Sequence, residues 1–155
     1  MIYLDAGAVV ALTVRGTRGR ALARWLNHDP GRVVLTSVLT EVQATAELRC
    51  HHPERLVDLP HVLAGTSRYA LDAPVRHLAG ILAGHPGGPP LPWPAAVHVA
   101  TALVVLGPHA AAFVTDDPAT ARAATARHLP VLGRPPGTPA PPAPHGPRRG
   151  APGTG

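Results

Sequence analysis

The sequence predicts an α/β protein built on a central parallel sheet with helices on both faces, and three observations carry that expectation. Short apolar runs alternate along the chain with segments of helical period. Carboxylates fall directly after two of those runs and just inside the helix that follows a third. The 155 residues, at 16.0 kDa, suit one hydrophobic core and leave no room for a second full domain.

Taken in order, "IYLD" at the start is a short buried strand, and "GTRGRALARWLNHD" has apolar residues three and four apart, as a helix requires. "RVVLTS" is a second strand and runs into the helical "VLTEVQATAELRCHH". Two further helices follow in "DAPVRHLAGILAG" and "PAAVHVATALVVLG", before "AAFVTDD", read as the third strand. The helix "DPATARAATARH" and a last strand, "LPVLG", close the pattern at Gly133. From Arg134 onward "RPPGTPAPPAPHGPRRGAPGTG" has no apolar period, so residues 1–133 are expected to form the domain and 134–155 a disordered Pro/Gly-rich tail.

Composition excludes several function classes. The single cysteine, Cys50, rules out an intrachain disulfide and supports no thiolate zinc site. The first residues lack the basic region and long apolar core of a signal peptide, and no run approaches the roughly 20 apolar residues of a membrane span, so a cytoplasmic protein without membrane contact is expected. The net charge of +5 and pI near 11.0 suggest a nucleic-acid partner, but residues 1–133 hold 11 arginines against all 9 acids. The folded part is only mildly basic. Every cation is arginine, with no lysine, a bias that GC-rich coding produces as readily as phosphate binding does.

Charge placement is more informative than charge number. Asp5 ends the first apolar run, Glu41 sits just inside the helix after the second, and Asp116 and Asp117 end "AAFVTDD". In an open parallel sheet, ligands collect outside the carboxyl ends of the strands, where these acids can converge. Several carboxylates gathered there repel one another, and a hard divalent cation is the usual remedy. Each acid also has a plainer use: Asp5 as the N-cap of a helix from about Gly7, Glu41 as a solvated helix residue, and Asp117 as an N-cap with Pro118 in the first helical position.

Four stretches, "IYLDAGAVVAL", "VVLTSVLTEV", "PAAVHVATAL" and "AFVTDDPATARAA", stand in the order and spacing of the PIN-domain family, and within it the chain resembles the VapC-type toxins of bacterial toxin–antitoxin pairs. The resemblance covers residues 1–133 and implies a PIN-like three-layer α/β/α sandwich. It also implies a Mg²⁺-dependent (or Mn²⁺-dependent) endoribonuclease, an RNA substrate, a small cognate antitoxin protein and a homodimer. Asp5, Glu41 and Asp117 match the family's metal-binding and catalytic acids, with Thr115 as the supporting threonine and Asp116 as a further candidate ligand. The family's remaining acid, at the start of the "PAAVHVATAL" helix, is replaced here by Ala95. His98 in that helix is family-like and is read as a packed residue, not as a substitute ligand. Two functional readings follow: a ribonuclease toxin of reduced activity, or a degenerate module that binds antitoxin or RNA without cutting.

Overall fold

The computed structural model describes residues 1–84 and 91–133, and the expected tail at 134–155 lies outside the described residues. Five strands, β1 (Ile2–Leu4), β2 (Val34–Ser37), β3 (Ser67–Tyr69), β4 (Ala112–Val114) and β5 (Val131–Leu132), pair in parallel in the order β3-β2-β1-β4-β5. The helices are α1 (Ala6–Val14), α2 (Thr17–Asn27), α3 (Val38–His51), α4 (Leu59–Ala64), α5 (Ala73–Ala83), α6 (Trp93–Val105) and α7 (Pro118–Thr125). The three-layer α/β/α expectation therefore holds.

Strand alternation assigns the layers. Ile2, Leu4, Ala112 and Val114 point to a core shared with α1, α2, α3 and α4, through residues such as Val9, Leu22, Leu48 and Leu63. Tyr3 and Phe113, one residue out of phase, point to the opposite core with α5, α6 and α7, and their rings stack at 5.3 Å. Between β1 and β2 the register is reinforced where the buried Thr36 hydroxyl donates to the Leu4 carbonyl at 2.8 Å.

The chain fills one side of β1 with β2 and β3 and then crosses to β4 and β5 on the other. The carboxyl ends of β1 and β4 flank that reversal, the position at which open parallel sheets form a crevice. Two elements escape the sequence reading. β3 is exposed over Ser67 and Arg68 and has no apolar run to announce it, which makes "AAFVTDD" the fourth strand in chain order and not the third. The short α4 follows a 3₁₀ turn over Pro53–Asp58, where Leu56, Leu59 and Leu63 stand at helical spacing but Pro53 and Pro60 break up the stretch.

The α1–α2 contact depends on one residue. Gly19 is buried, and a Cβ there would lie 1.9 Å from the Ala11 carbonyl oxygen of α1. Backbone cannot yield as a flexible side chain can. Gly19→Ala is therefore expected to force the two helices apart and to cost about 3 kcal/mol, the upper end of overpacking penalties. A thermal melt should show a fall of about 6–12 °C.

Candidate functional site

Asp5 answers to both of its sequence readings. It is the N-cap of α1, its carboxylate accepting from the Ala8 N–H at 2.8 Å, and it is also nearly enclosed, at 7% exposure, in the crevice between β1 and β4. Its own N–H donates to the Val114 carbonyl at 3.1 Å, which sets it level with Thr115. Burial pushes the carboxyl up to about 6, and the charge of Asp116 adds to this; the Thr115 hydroxyl, the Ala8 N–H and Arg18 act in the opposite direction.

Asp116 lies beside Asp5 and forms an ion pair with Arg18, which reaches across from α2. Arg18 also approaches the Gly7 carbonyl, at 3.5 Å. Asp117 turns the other way. It caps α7, accepting from the Thr120 N–H at 2.7 Å and from the Thr120 hydroxyl, with Pro118 in the first helical position. Burial opposes ionisation there, but those two donors hold its carboxyl below the ordinary range. Thr115 supports both acids, since its hydroxyl accepts from the Asp117 N–H at 3.2 Å.

Glu41 occupies the first turn of α3, after Ser37 has capped that helix. Its carboxylate is about half exposed and pairs with Arg68 of β3 at 2.9 Å. Among the described residues, no group of three or more His, Cys, Asp or Glu side chains stands where it could hold a metal ion. The structure thus brings Asp5 and Asp116 together, with Asp117 next in the chain but engaged at α7, and Glu41 held by Arg68.

Ala95 lies in the first turn of α6, half-buried and packed against the core on that side. Because α6 leads into β4 at its amino end, the helix begins on the carboxyl side of the sheet. His98, one turn further on, is packed as expected. Its Nδ1 meets the Tyr3 hydroxyl at 2.9 Å and its Nε2 the Gln43 Oε1 at 2.7 Å, so with Gln43 accepting, the ring donates from Nε2 and receives the Tyr3 proton at Nδ1. Burial lowers its pKa to about 4, which keeps it neutral in the core.

Sequence reasoning missed Arg18 and Arg68, the two cations that hold the acids in place. Nothing in the spacing of "TRGRALAR" separates Arg18 from its neighbours; only the fold turns it toward Asp116. No helix among the described residues is long and apolar enough to cross a membrane.

No protein-family model matches the chain. It is 37% identical over 134 residues to ribonuclease VapC35 of Mycobacterium tuberculosis, in two strains of that organism, over 85% of this chain and 96% of the relative. Among solved structures, it is similar to VapBC2 from Rickettsia felis bound to a DNA fragment from its promoter, with a TM-score of 0.67 at 13% identity, over 87% of this chain and 100% of that one. It is also similar to FitAcB from Neisseria gonorrhoeae, with a TM-score of 0.61 at 18% identity, over 85% of this chain and 96% of that one. At those identities the structural likeness speaks for the fold.

Proposed function

The chain belongs to the VapC family of PIN-domain ribonucleases, and from that premise we propose that it is the endoribonuclease toxin of a toxin–antitoxin pair, acting in the cytoplasm with Mg²⁺ or Mn²⁺. The observation that carries the reading is Asp5: a carboxylate almost wholly buried at the sheet's reversal point, beside a second carboxylate, where neither packing nor capping requires the second.

The donors are of the right kind for such an ion. Mg²⁺ takes hard oxygen ligands and is commonly held by one or two carboxylates together with waters and substrate phosphates. Asp5 and Asp116 supply such a pair, and Asp117 and Glu41 complete the proposed set. When bound, the cation supplies an activated water and neutralises charge building on the phosphoryl oxygens. Asp5 acts as the rigid anchor, fixed by the Ala8 N–H and the Thr115 hydroxyl. Glu41 is readily released to the site, because an exposed ion pair such as that with Arg68 contributes only about 0–1 kcal/mol. Arg18 keeps Asp116 neutralised until a substrate or ion competes for it.

A cognate antitoxin protein and a second copy of the chain are the proposed partners. The apolar strip of α3 formed by Val38 and Val42, 41% and 65% exposed, suits the homodimer. A second reading, a degenerate module that binds antitoxin or RNA without cutting, draws on Ala95 and on the scattered acids.

Cleavage of RNA by the purified protein separates the two. The expected result is cutting with Mg²⁺ or Mn²⁺ that falls at least 100-fold when EDTA is added; cutting unaffected by EDTA would remove the metal from the mechanism. No cutting with either ion, by a protein that still binds RNA, would establish the degenerate module.

A further inference from the structure

One face of α2, packed on the core through Leu22, borders a cavity. Arg18, Ala21, Leu22 and Trp25 recur at the three- and four-residue spacing of a helical stripe, and the stripe faces Val114 and Leu132 across a cavity of about 230 Å³. The cavity adjoins the acid pair through Arg18. Val114 stands two residues before Asp116, and Arg18 both lines the cavity and pairs with Asp116.

Charge along the α2 segment is one-sided, although only Arg18 of its arginines lines the cavity. Residues 15–32 contain five of the 11 arginines of residues 1–133 and one acid, Asp29, which Arg32 already pairs at 2.7 Å. Arg15, Arg20 and Arg24 are exposed, and the Arg32 guanidinium lies 5.9 Å from the centre of the Trp25 ring. An aromatic ring in an apolar slot, flanked by arginines and adjoining acids proposed for phosphodiester hydrolysis, has the composition of a single-stranded nucleic-acid site. There bases stack on aromatic faces while cations track the phosphates.

We propose that the cavity between α2 and the β4–β5 edge is a nucleobase subsite, receiving one unpaired base of the RNA beside the scissile phosphate, with Trp25 as its stacking face and Arg18 at the phosphate. The proposal rests on the ribonuclease reading above and deepens it. Trp25 and the cavity would then set substrate binding and base preference, while the acids carry the hydrolysis.

The test uses Trp25 as its own reporter. The chain has two tryptophans, so in a Trp93→Phe background Trp25 is the sole indole fluorophore. A ribonucleoside 5′-monophosphate, which has no phosphodiester to cleave, is expected to quench Trp25 saturably, and ribose 5-phosphate, which lacks the base, is expected not to. Ala21→Leu, which fills the cavity from α2 without touching the acids, should weaken that quenching about 10-fold with an unchanged thermal melt. For RNA cleavage, Ala21→Leu and Trp25→Ala should each raise KM about 10-fold and alter kcat much less. Equal quenching by ribose 5-phosphate, or full nucleotide binding by a folded Ala21→Leu protein, overturns the subsite. Wild-type KM in both variants overturns it while leaving the ribonuclease reading intact. Nucleotide quenching by a protein that cuts no RNA upholds the subsite and removes the ribonuclease reading. Should Trp25→Ala fail to fold, Ala21→Leu and the fluorescence titration decide alone.

Discussion

Asp5→Asn is expected to abolish RNA cleavage and, at neutral pH, to make the protein more stable. Asparagine keeps the side-chain oxygen that accepts from Ala8 and is as good an N-cap as aspartate, so α1 should start unchanged. What it removes is a desolvated charge. The Asp5 carboxyl titrates at about 6 in the folded protein against an ordinary 3.8. A raised folded pKa means that the protonated form suits the fold: its contribution to stability is complete below pH 3.8 and is lost as pH rises through 6. Above that, the ionised Asp5 costs about 3 kcal/mol, of which the neutral amide should recover about 1–2. Denaturant or thermal melts in EDTA should give the variant a Tm about 3–6 °C higher at pH 7.5, with the advantage shrinking through pH 6 and vanishing near pH 4. Groups unaltered by the substitution cancel in that difference. An advantage that persists at pH 4 would show that ionisation is not its source, and undiminished cleavage by Asp5→Asn would remove Asp5 from the chemistry. A site residue whose removal stabilises the fold is one retained for function at the expense of stability.

The elements legible in the sequence are those whose period is strong and whose ends carry a chemical mark. β1, β2 and β4 are apolar runs ended by Asp5, Ser37 and Thr115, and α7 opens on an Asp-Pro pair that the fold uses as cap and first turn. α1 is less legible, because "AGAVVALTV" is apolar nearly all round and only the N-cap reading of Asp5 marks its start. β3 was illegible. Its Ser67 and Arg68 face solvent, and it pairs with β2 through backbone hydrogen bonds that composition does not encode.

The candidate site divides in the same way. Positions of acids after strands follow from local order, so Asp5, Glu41, Asp116 and Asp117 were visible as candidates. Which of them meet depends on cations brought from elsewhere in the chain. Arg18 arrives from α2 and Arg68 from β3, and each selects its acid through a contact that spans many residues. His98 shows the converse. The family resemblance marks it as a packed residue; burial keeps it neutral, and its Tyr3 and Gln43 partners come from two other elements.

Ala95→Asp is expected to raise both metal affinity and RNA cleavage. The position lies in the first turn of α6, on the carboxyl side of the sheet, where unpaired backbone N–H groups and the helix dipole favour an anion. Half-burial leaves room for a carboxylate to reach water or an ion without entering the core. Because the present acids are few and partly engaged by Arg18, Arg68 and Thr120, an added hard-oxygen donor should strengthen Mn²⁺ binding by about 10-fold or more, a scale on which even outer-shell groups act. Cleavage should rise by a similar factor if ion occupancy limits it. Combining the change with Asp5→Ala should erase the gain, since the added acid cannot replace the buried anchor. Mn²⁺ titration and RNA cleavage, with a thermal melt to establish folding, measure each step. A folded Ala95→Asp protein with unchanged Mn²⁺ affinity and unchanged cleavage would show that α6 does not face the site, and with that the scattered acids would favour the binding module over the nuclease.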